Sequence, residues 1–461
     1  MKRKSRLEKD SLGTVKVPED ALWGAQTQRS IENFGSGKEL VPLNLIYSIT
    51  LIKRASAIVN YNFGLISKQK KELIIMSCEE ILDGNHNEQF PLKVWQTGSG
   101  TQTNMNVNEV ISNIACLKTN SALGSQQPLH PNDDVNKSQS TNDTFPAAIQ
   151  ISVVSDIQKK LIPSMEKIVK EFEKKMNKWD KVIKIGRTHF QDAVPISLGQ
   201  ELSAWVKQIK DARNSIKSNL NDLYFLPLGG TAVGTGMNAP ENFNKEVSRI
   251  IKNDTNLPFL EANNNFALMA SHDRLANLMG SLKTLASALF KISNDIKILS
   301  SGPRSGIYEL LIPANEPGSS IMPGKVNPTQ CEALSMICAQ VMGLESAVSI
   351  ANASGTLQMN EYKPLIGFNL ITSIRLLSEG INNFRIKLVE GMEPNHGKIE
   401  SNLDNSLMLI TALVPEIGYE KSAKIANFAF QESISLKEAN LKLGFLSEDR
   451  FNKLINPENM V

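Results

Sequence analysis

Four apolar stripes at helical spacing decide the scaffold of this chain. After Pro146, Ile149, Val153, Ile157 and Leu161 recur every fourth residue, and Ile168, Phe172, Met176 and Trp179 carry the stripe on. A second stripe runs Leu202, Trp205, Val206, Ile209, Ile216, Leu220 and Leu223. A third extends from Leu275 through Leu278, Met279, Leu282, Leu285, Leu289, Ile292 and Ile296 to Leu299, and a fourth follows Pro328 through Leu334, Ile337, Val341, Leu344 and Val348. This period belongs to amphipathic α-helices. Pro163 lacks an N–H and its ring collides with the carbonyl four residues back, which predicts a kink in the first stripe. Apolar faces this wide must be buried against each other or against a neighbouring subunit. Strands alternating with helices do not appear, which excludes a doubly wound or α/β-barrel scaffold. The expected fold is mainly α, with a long central helical bundle.

Outside the stripes, short helical patterns mix with Gly, Asn and Pro. The chain is expected to divide into a mixed but mainly helical N-terminal region, 1–139, the central bundle, 140–396, and a small helical C-terminal region, 397–461. Hydrophobic content of 41% and charge of 21% suit an ordinary globular protein. A net charge of +3, spread along the chain, gives no case for a nucleic-acid partner. The basic opening Met1-Lys-Arg-Lys-Ser-Arg6 is not followed by a signal-length apolar run and reads as a frayed terminus. No segment of membrane-spanning length is free of charges. Cys78, Cys116, Cys331 and Cys338 show neither paired metal-ligand spacing nor a disulfide framework, so a reduced, cytoplasmic setting with structural thiols is expected.

The chemistry is concentrated in Gly318-Ser-Ser-Ile-Met-Pro-Gly-Lys-Val-Asn-Pro-Thr-Gln-Cys-Glu332. Gly318 and Gly324 let the backbone bend and approach a ligand, and Pro328 suits the start of a helix. Ser319 and Ser320 offer hydroxyls, Lys325 a point charge and Asn327 a donor. A plain Gly/Pro loop explains the bending but not this density of functional groups. A nucleotide-binding P-loop is excluded by spacing: five residues separate the two glycines, and Val326 stands where a Ser or Thr is needed.

Three further clusters share this character. Gly98-Ser-Gly-Thr-Gln-Thr-Asn104 places Ser99, Gly100 and Thr101 before a helix whose N-terminus favours an anion, although capping alone would use the same residue types. His130-Pro-Asn-Asp133 leads to Ser140-Thr141-Asn142, which can cap the Pro146 helix or bind an anion at its positive end. Gly186-Arg-Thr-His-Phe-Gln-Asp192 carries Thr188 and His189; a lone histidine beside apolar residues is either a packed side chain or an acid–base group. No His, Cys or carboxylate set has zinc-like spacing. Hydroxyls, amides and one lysine fit a small dicarboxylate better than a phosphate ester.

Gly318-Ser-Ser-Ile-Met-Pro-Gly-Lys-Val-Asn327 resembles the signature of the fumarase/aspartase superfamily, and the resemblance runs from Leu22-Trp-Gly-Ala-Gln-Thr-Gln-Arg29 to Gly444-Phe-Leu-Ser447. Gly324, Pro328-Thr-Gln-Cys-Glu332, His130-Pro-Asn-Asp133 and Leu228-Gly-Gly-Thr-Ala-Val-Gly-Thr-Gly236 bring it nearest the class II fumarases. The resemblance implies reversible hydration of fumarate to L-malate, a step of the tricarboxylic acid cycle, without metal or organic cofactor. It implies a three-region subunit in a homotetramer with a multi-helix core, each active site drawing on three subunits. By the same resemblance Ser319 is the base, His189 serves the acid side with Glu332, and Lys325 and Asn327 stabilise an enediolate. Ser99, Gly100, Thr101, Ser140, Thr141, Asn142, Thr188, Ser320, Lys325, Val326 and Asn327 bind substrate.

His130, Pro131, Asn132 and Asp133 match the family's second dicarboxylate site. Gln126-Gln-Pro-Leu129 stands where some bacterial relatives carry basic residues, so weaker anion binding is expected there. The alternatives are an aspartate ammonia-lyase of the same superfamily, against which Gly324, Thr329-Gln-Cys331 and His130 argue, and a non-catalytic binding protein on this scaffold. The second should have lost Ser319, His189, Lys325 or Glu332, and all four are present.

Overall fold

A computed structural model describes residues 4–461; Met1, Lys2 and Arg3, the start of the expected frayed terminus, lie outside the described residues. Arg6 is not frayed. It sits in β1 (Ser5–Asp10), which pairs antiparallel with β2 (Gly13–Pro18), and its guanidinium holds the carbonyls of Pro18 and Trp23 and the Glu8 carboxylate. The two carbonyls lie 12 and 17 residues away, so no local pattern announced them.

Seventeen α-helices account for most of the described chain, as the stripes require. After α1 (Ala25–Asn33) come α2 (Leu43–Asn62), α3 (Lys68–Leu82), α4 (Thr101–Lys118) and α5 (Thr141–Asp156). A π-helical turn at Ile157–Leu161 leads from α5 into α6 (Ile162–Lys178). That irregularity falls just before Pro163, whose missing N–H and ring disturb the preceding turn. Pro146 lies inside α5 rather than ahead of it.

The hairpin β3 (Ile183–Thr188) and β4 (Gln191–Ser197) precedes α7 (Leu198–Leu223). Then follow β5 (Phe225–Leu226), α8 (Phe243–Thr255), β6 (Leu260–Glu261), α9 (Asn265–Ala270), α10 (Asp273–Leu299) and β7 (Leu310–Leu311). The last part contains α11 (Thr329–Ala353), α12 (Lys363–Phe384), β8 (Glu393–Pro394), α13 (His396–Asp404), α14 (Val414–Ile417), α15 (Tyr419–Glu432), α16 (Leu436–Leu443) and α17 (Glu448–Leu454). Among the described residues the strands form four two-stranded pairs, of which only β5–β6 is parallel.

The chain forms two compact units. One contains residues up to Pro163, Asn214–Thr284 and Gln340–Leu377; the other contains Ser164–Arg213, Leu285–Ala339 and Ser378–Val461. In the first, α2 packs on α3, α4, α5 and α8. Helix α4 is buried on every face from Thr103 to Cys116, including Asn104, Asn106, Asn108, Glu109, Ser112 and Asn113. A helix polar and buried at once must spend its amides on hydrogen bonds, and these organise the site described below. In the second unit Phe172 meets Trp205 edge-on with ring centroids 5.7 Å apart. Truncating Phe172 to Ala would cost about 3–5 kcal/mol. A separate apolar cluster centred on Leu413, Ile425, Ala439 and Phe451 gathers the C-terminal helices.

Helix α11 is long and apolar enough to cross a membrane by length and composition alone, with little of that stretch covered within the chain. Glu332 and Glu345 are the charges in it, the latter paired with Lys283. Leu334, Cys338, Val341 and Val348 form its buried stripe, while Ala333, Met336, Ala339, Gly343 and Ile350 form an exposed one.

Candidate active site

The turn before α4 needs its glycines. A Cβ on Gly98 would lie 1.5 Å from the Glu361 carbonyl oxygen, and one on Gly100, at φ +80°, would meet the Phe145 ring at 2.4 Å. Gly100 occupies the cap position and supplies no side-chain cap. Ser99 Oγ and Thr101 Oγ1 lie 2.7 Å apart, and Ser99 Oγ also accepts the Thr101 N–H at 3.3 Å. The helix presents its positive end beside them.

Helix α5 starts on a capping box. Ser140 Oγ accepts the Asn142 N–H at 3.2 Å, and the Ser140 N–H donates to Asp143 Oδ1 at 3.1 Å. The other Asp143 oxygen accepts the N–H groups of Gly229 and Thr231 at 3.1 and 2.8 Å, and Asn142 Nδ2 donates to the Ala232 carbonyl at 2.8 Å. The Leu228–Gly236 stretch thus straps the start of α5. Burial pushes the Asp143 carboxyl up to about 6, against its hydrogen bonds and the nearby Lys53 charge. Asn104 Nδ2 donates to Thr141 Oγ1 at 3.0 Å. Through that bond the structure joins the Ser99–Thr101 and Ser140–Asn142 clusters, which lie about forty residues apart in sequence.

His130 precedes a π-type turn, Pro131–Val135. Its Nδ1 accepts the N–H groups of Asn132 and Asp133 at 3.3 and 3.1 Å, which leaves the ring proton of the neutral form on Nε2. His130, Pro131, Asn132 and Gln126 line a cavity of about 550 Å³ that they share with Glu8, Asp10 and Glu109. Those carboxylates are engaged: Glu8 with Arg6, Asp10 with Arg29, and Glu109 with the N–H groups of Gly24, Gln26 and Thr27.

In the second unit, Thr188 ends β3 and His189-Phe190 forms the two-residue tip of the hairpin. Both tip residues have positive φ, +55° and +60°, the geometry of a type I′ turn, which fits the right-handed twist of paired strands. His189 is therefore exposed, not packed. The hairpin base is fixed by Glu309, fully buried and paired with Lys184 at 3.2 Å and Arg187 at 2.7 Å.

The Gly318 loop closes on itself. The Gly318 N–H donates to the Lys325 carbonyl at 3.0 Å, and Asn327 Nδ2 donates to the Gly318 carbonyl at 2.5 Å. Gly324 has φ +79°. Ser319 Oγ accepts two backbone N–H groups, from Ile321 at 3.2 Å and Met322 at 3.0 Å. Ser320, Lys325 and Val326 are exposed, as is Glu332 in the first turn of α11. Among the described residues, the His189 ring, the Lys325 ammonium and the Glu332 carboxylate have no hydrogen-bond or ion-pair partner. Among the same residues, no three His, Cys, Asp or Glu side chains gather as metal ligands.

A lyase family model matches residues 13–343, and a second, for the fumarase C C-terminus, matches 409–461. A class II fumarate hydratase of Prochlorococcus marinus subsp. pastoris is 70% identical over 461 residues, covering 100% of both chains. The chain belongs to the class II fumarase family. A class II fumarate hydratase of Chlamydia pneumoniae is 50% identical over 456 residues, covering 99% of each chain. The crystal structure of a recombinant class II fumarase from Schistosoma mansoni superposes with a TM-score of 0.95 at 43% identity over 99% of both chains. The fold is accordingly the mainly α fold of these fumarases.

Motif reading in this class II fumarase missed the polar support beneath the clusters. Lys53 on α2 is fully buried, and its ammonium donates to Asn136 Oδ1 at 2.8 Å and Gln139 Oε1 at 3.0 Å. Burial pulls it down to about 7, with Asp143 opposing. A signal was available: Ile46, Ile49, Lys53, Ala57 and Asn60 share one helical face, so the lysine stands on the buried stripe.

Proposed function

We propose that this chain catalyses the reversible hydration of fumarate to L-malate, a carbon–oxygen lyase reaction on a dicarboxylate. Full-length identity of 70% to a class II fumarate hydratase, with every chemical residue of the motifs in place, carries this reading. Starting from L-malate, Ser319 removes a proton from the carbon beside one carboxylate. The electron pair left behind delocalises into that carboxylate as an enediolate, which Lys325 and Asn327 stabilise. The pair then returns to form the double bond as the neighbouring C–O bond breaks, and His189, oriented by Glu332, protonates the departing hydroxide to water. The two N–H groups directed at Ser319 Oγ support its role, because donors to an oxygen favour its charged form. Ser99, Gly100, Thr101, Ser140, Thr141, Asn142, Thr188, Ser320 and Val326 complete the substrate contacts.

The proposal includes a homotetramer whose sites each draw on three subunits. Bare His189, Lys325 and Glu332 side chains and the exposed apolar stripe of α11 support it, since each looks outward from its own chain. It also includes the three-region division, 1–139, 140–396 and 397–461, supported at its last boundary by the separate C-terminal cluster. A cytoplasmic setting belongs to it too, supported by four buried, unpaired thiols, as does a second, weaker dicarboxylate site at His130–Asp133. Following fumarate absorbance with L-malate, L-aspartate and chelator tests the activity. Fumarate from L-malate alone is expected; fumarate from L-aspartate, or from neither, overturns the reading.

A further inference from the structure

The hydrogen bonds below the Ser140–Asn142 turn have a direction, set at Asn136 by Lys53 on one side and by the Gln139 carbonyl, which accepts from Asn136 Nδ2 at 3.2 Å, on the other. Lys53 Nζ has at least two N–H donors, charged or neutral, and spends one on Gln139 and one on Asn136, which turns its oxygen toward the amine at 2.8 Å. That same oxygen also receives Asn104 Nδ2 at 3.1 Å and Asn108 Nδ2 at 3.3 Å. An oxygen facing Asn104 obliges Asn104 to present its amide nitrogen, whose other hydrogen goes to Thr141 Oγ1 at 3.0 Å. Thr141 is therefore an acceptor on its inner side, and its own hydroxyl hydrogen is free to point outward. Lys53, Asn104, Asn108 and Thr141 are buried, and Asn136 and Gln139 are partly so. Gln139, held by the same ammonium at 3.0 Å, ties in the residue just before the Ser140 cap.

We propose that Lys53 is a positioning residue for the dicarboxylate site: its Nζ–H donors, together with the Gln139 carbonyl, fix the orientation of Asn136 and Asn104 and thereby make Thr141 a hydrogen-bond donor toward the substrate carboxylate. This rests on the reading that Thr141 binds substrate. A carboxylate is acceptor-only, so a Thr141 hydroxyl oriented the other way would present a lone pair to it and repel it. With an apolar residue at 53, Asn136 Oδ1 loses its shortest donor and only the Nδ2 bond to the Gln139 carbonyl still holds the amide, so the order of the donors is weakened. The effect should fall on binding of substrate and transition state alike, because the carboxylate persists through the reaction.

The experiment compares steady-state kinetics of Lys53→Met, Asn104→Leu and Thr141→Val enzymes with L-malate, each first checked to be folded at the assay temperature by circular dichroism. Lys53→Met and Asn104→Leu are expected to raise KM by roughly tenfold or more, as Thr141→Val does, with kcat changed less than about threefold. Asn104→Leu leaves the buried charge in place, so it decides the matter if Lys53→Met does not fold. A raised KM in Thr141→Val with an unchanged KM in folded Lys53→Met or in Asn104→Leu overturns the inference. An unchanged KM in Thr141→Val instead removes Thr141 from the substrate site. A drop confined to kcat, or to stability with normal KM, overturns it as well.

Discussion

A serine hydroxyl ordinarily keeps its proton far above neutral pH, so the role proposed for Ser319 depends on donors that favour its alkoxide. The Ile321 and Met322 N–H groups are such donors, held in place by the ring that Gly318 closes with Lys325 and Asn327. Ser319→Ala should lower kcat by about 10²–10⁴ with little change in KM or melting temperature, read by malate turnover and calorimetry. Gly318→Ala tests the ring itself. Its Cβ would lie 2.2 Å from the Lys325 carbonyl oxygen, a backbone atom that cannot swing aside, so kcat should fall sharply while the overall fold survives. A third expectation concerns pH. Burial depresses Lys53 to about 7 in the folded chain, whereas an unfolded lysine titrates near 10.5. Between those values the unfolded chain holds the extra proton, so this group makes stability rise with pH. The melting temperature of the natural chain, minus that of Lys53→Met, should therefore increase from pH 7 to pH 9.5. A flat or falling difference would mean that Lys53 stays charged in the fold.

At the level of single elements, α11 carries two faces with different fates. Leu334, Cys338, Val341 and Val348 are buried within the chain, whereas Met336 and Ile350 are each 68% exposed and Gly343 has open space where a Cβ would stand. Small and apolar residues on an outward face permit close helix–helix approach. Gly343→Leu combined with Met336→Glu should shift the protein to smaller species in light scattering while leaving helical circular dichroism intact, because the inward stripe is untouched. The stripes made the long helices legible because each repeats one contact type over many turns, as Leu275 to Leu299 does in α10. The four clusters were legible because their hydroxyls, amides and glycines break that apolar monotony. What stayed hidden depends on partners distant in sequence. Arg6 finds the carbonyls of Pro18 and Trp23, and Lys53 finds Asn136, 83 residues away. Likewise, the exposure of His189 follows from a two-residue hairpin tip that forms only once β3 and β4 pair.

The whole molecule poses a different question, because the proposed chemistry is divided between groups that a single chain leaves bare. Suppose each site takes its His189 tip from one subunit and its Ser319 loop from another. A His189→Ala enzyme then still carries intact Ser319 loops, and a Ser319→Ala enzyme intact His189 tips, though each is inactive alone. Co-expressing the two with different affinity tags and purifying through both tags yields mixed assemblies. If subunits combine at random, a given site receives a sound histidine half the time and a sound serine half the time. About a quarter of the sites should be fully active, with KM unchanged because each such site is complete. If instead one chain built its own site, every chain in the mixture would still lack one group, and no mixture could recover activity. Turnover near a quarter of the natural enzyme's, absent from either parent, is the expected result. Background turnover in the doubly purified mixed assemblies would require the His189 tip and the Ser319 loop of one chain to serve the same site.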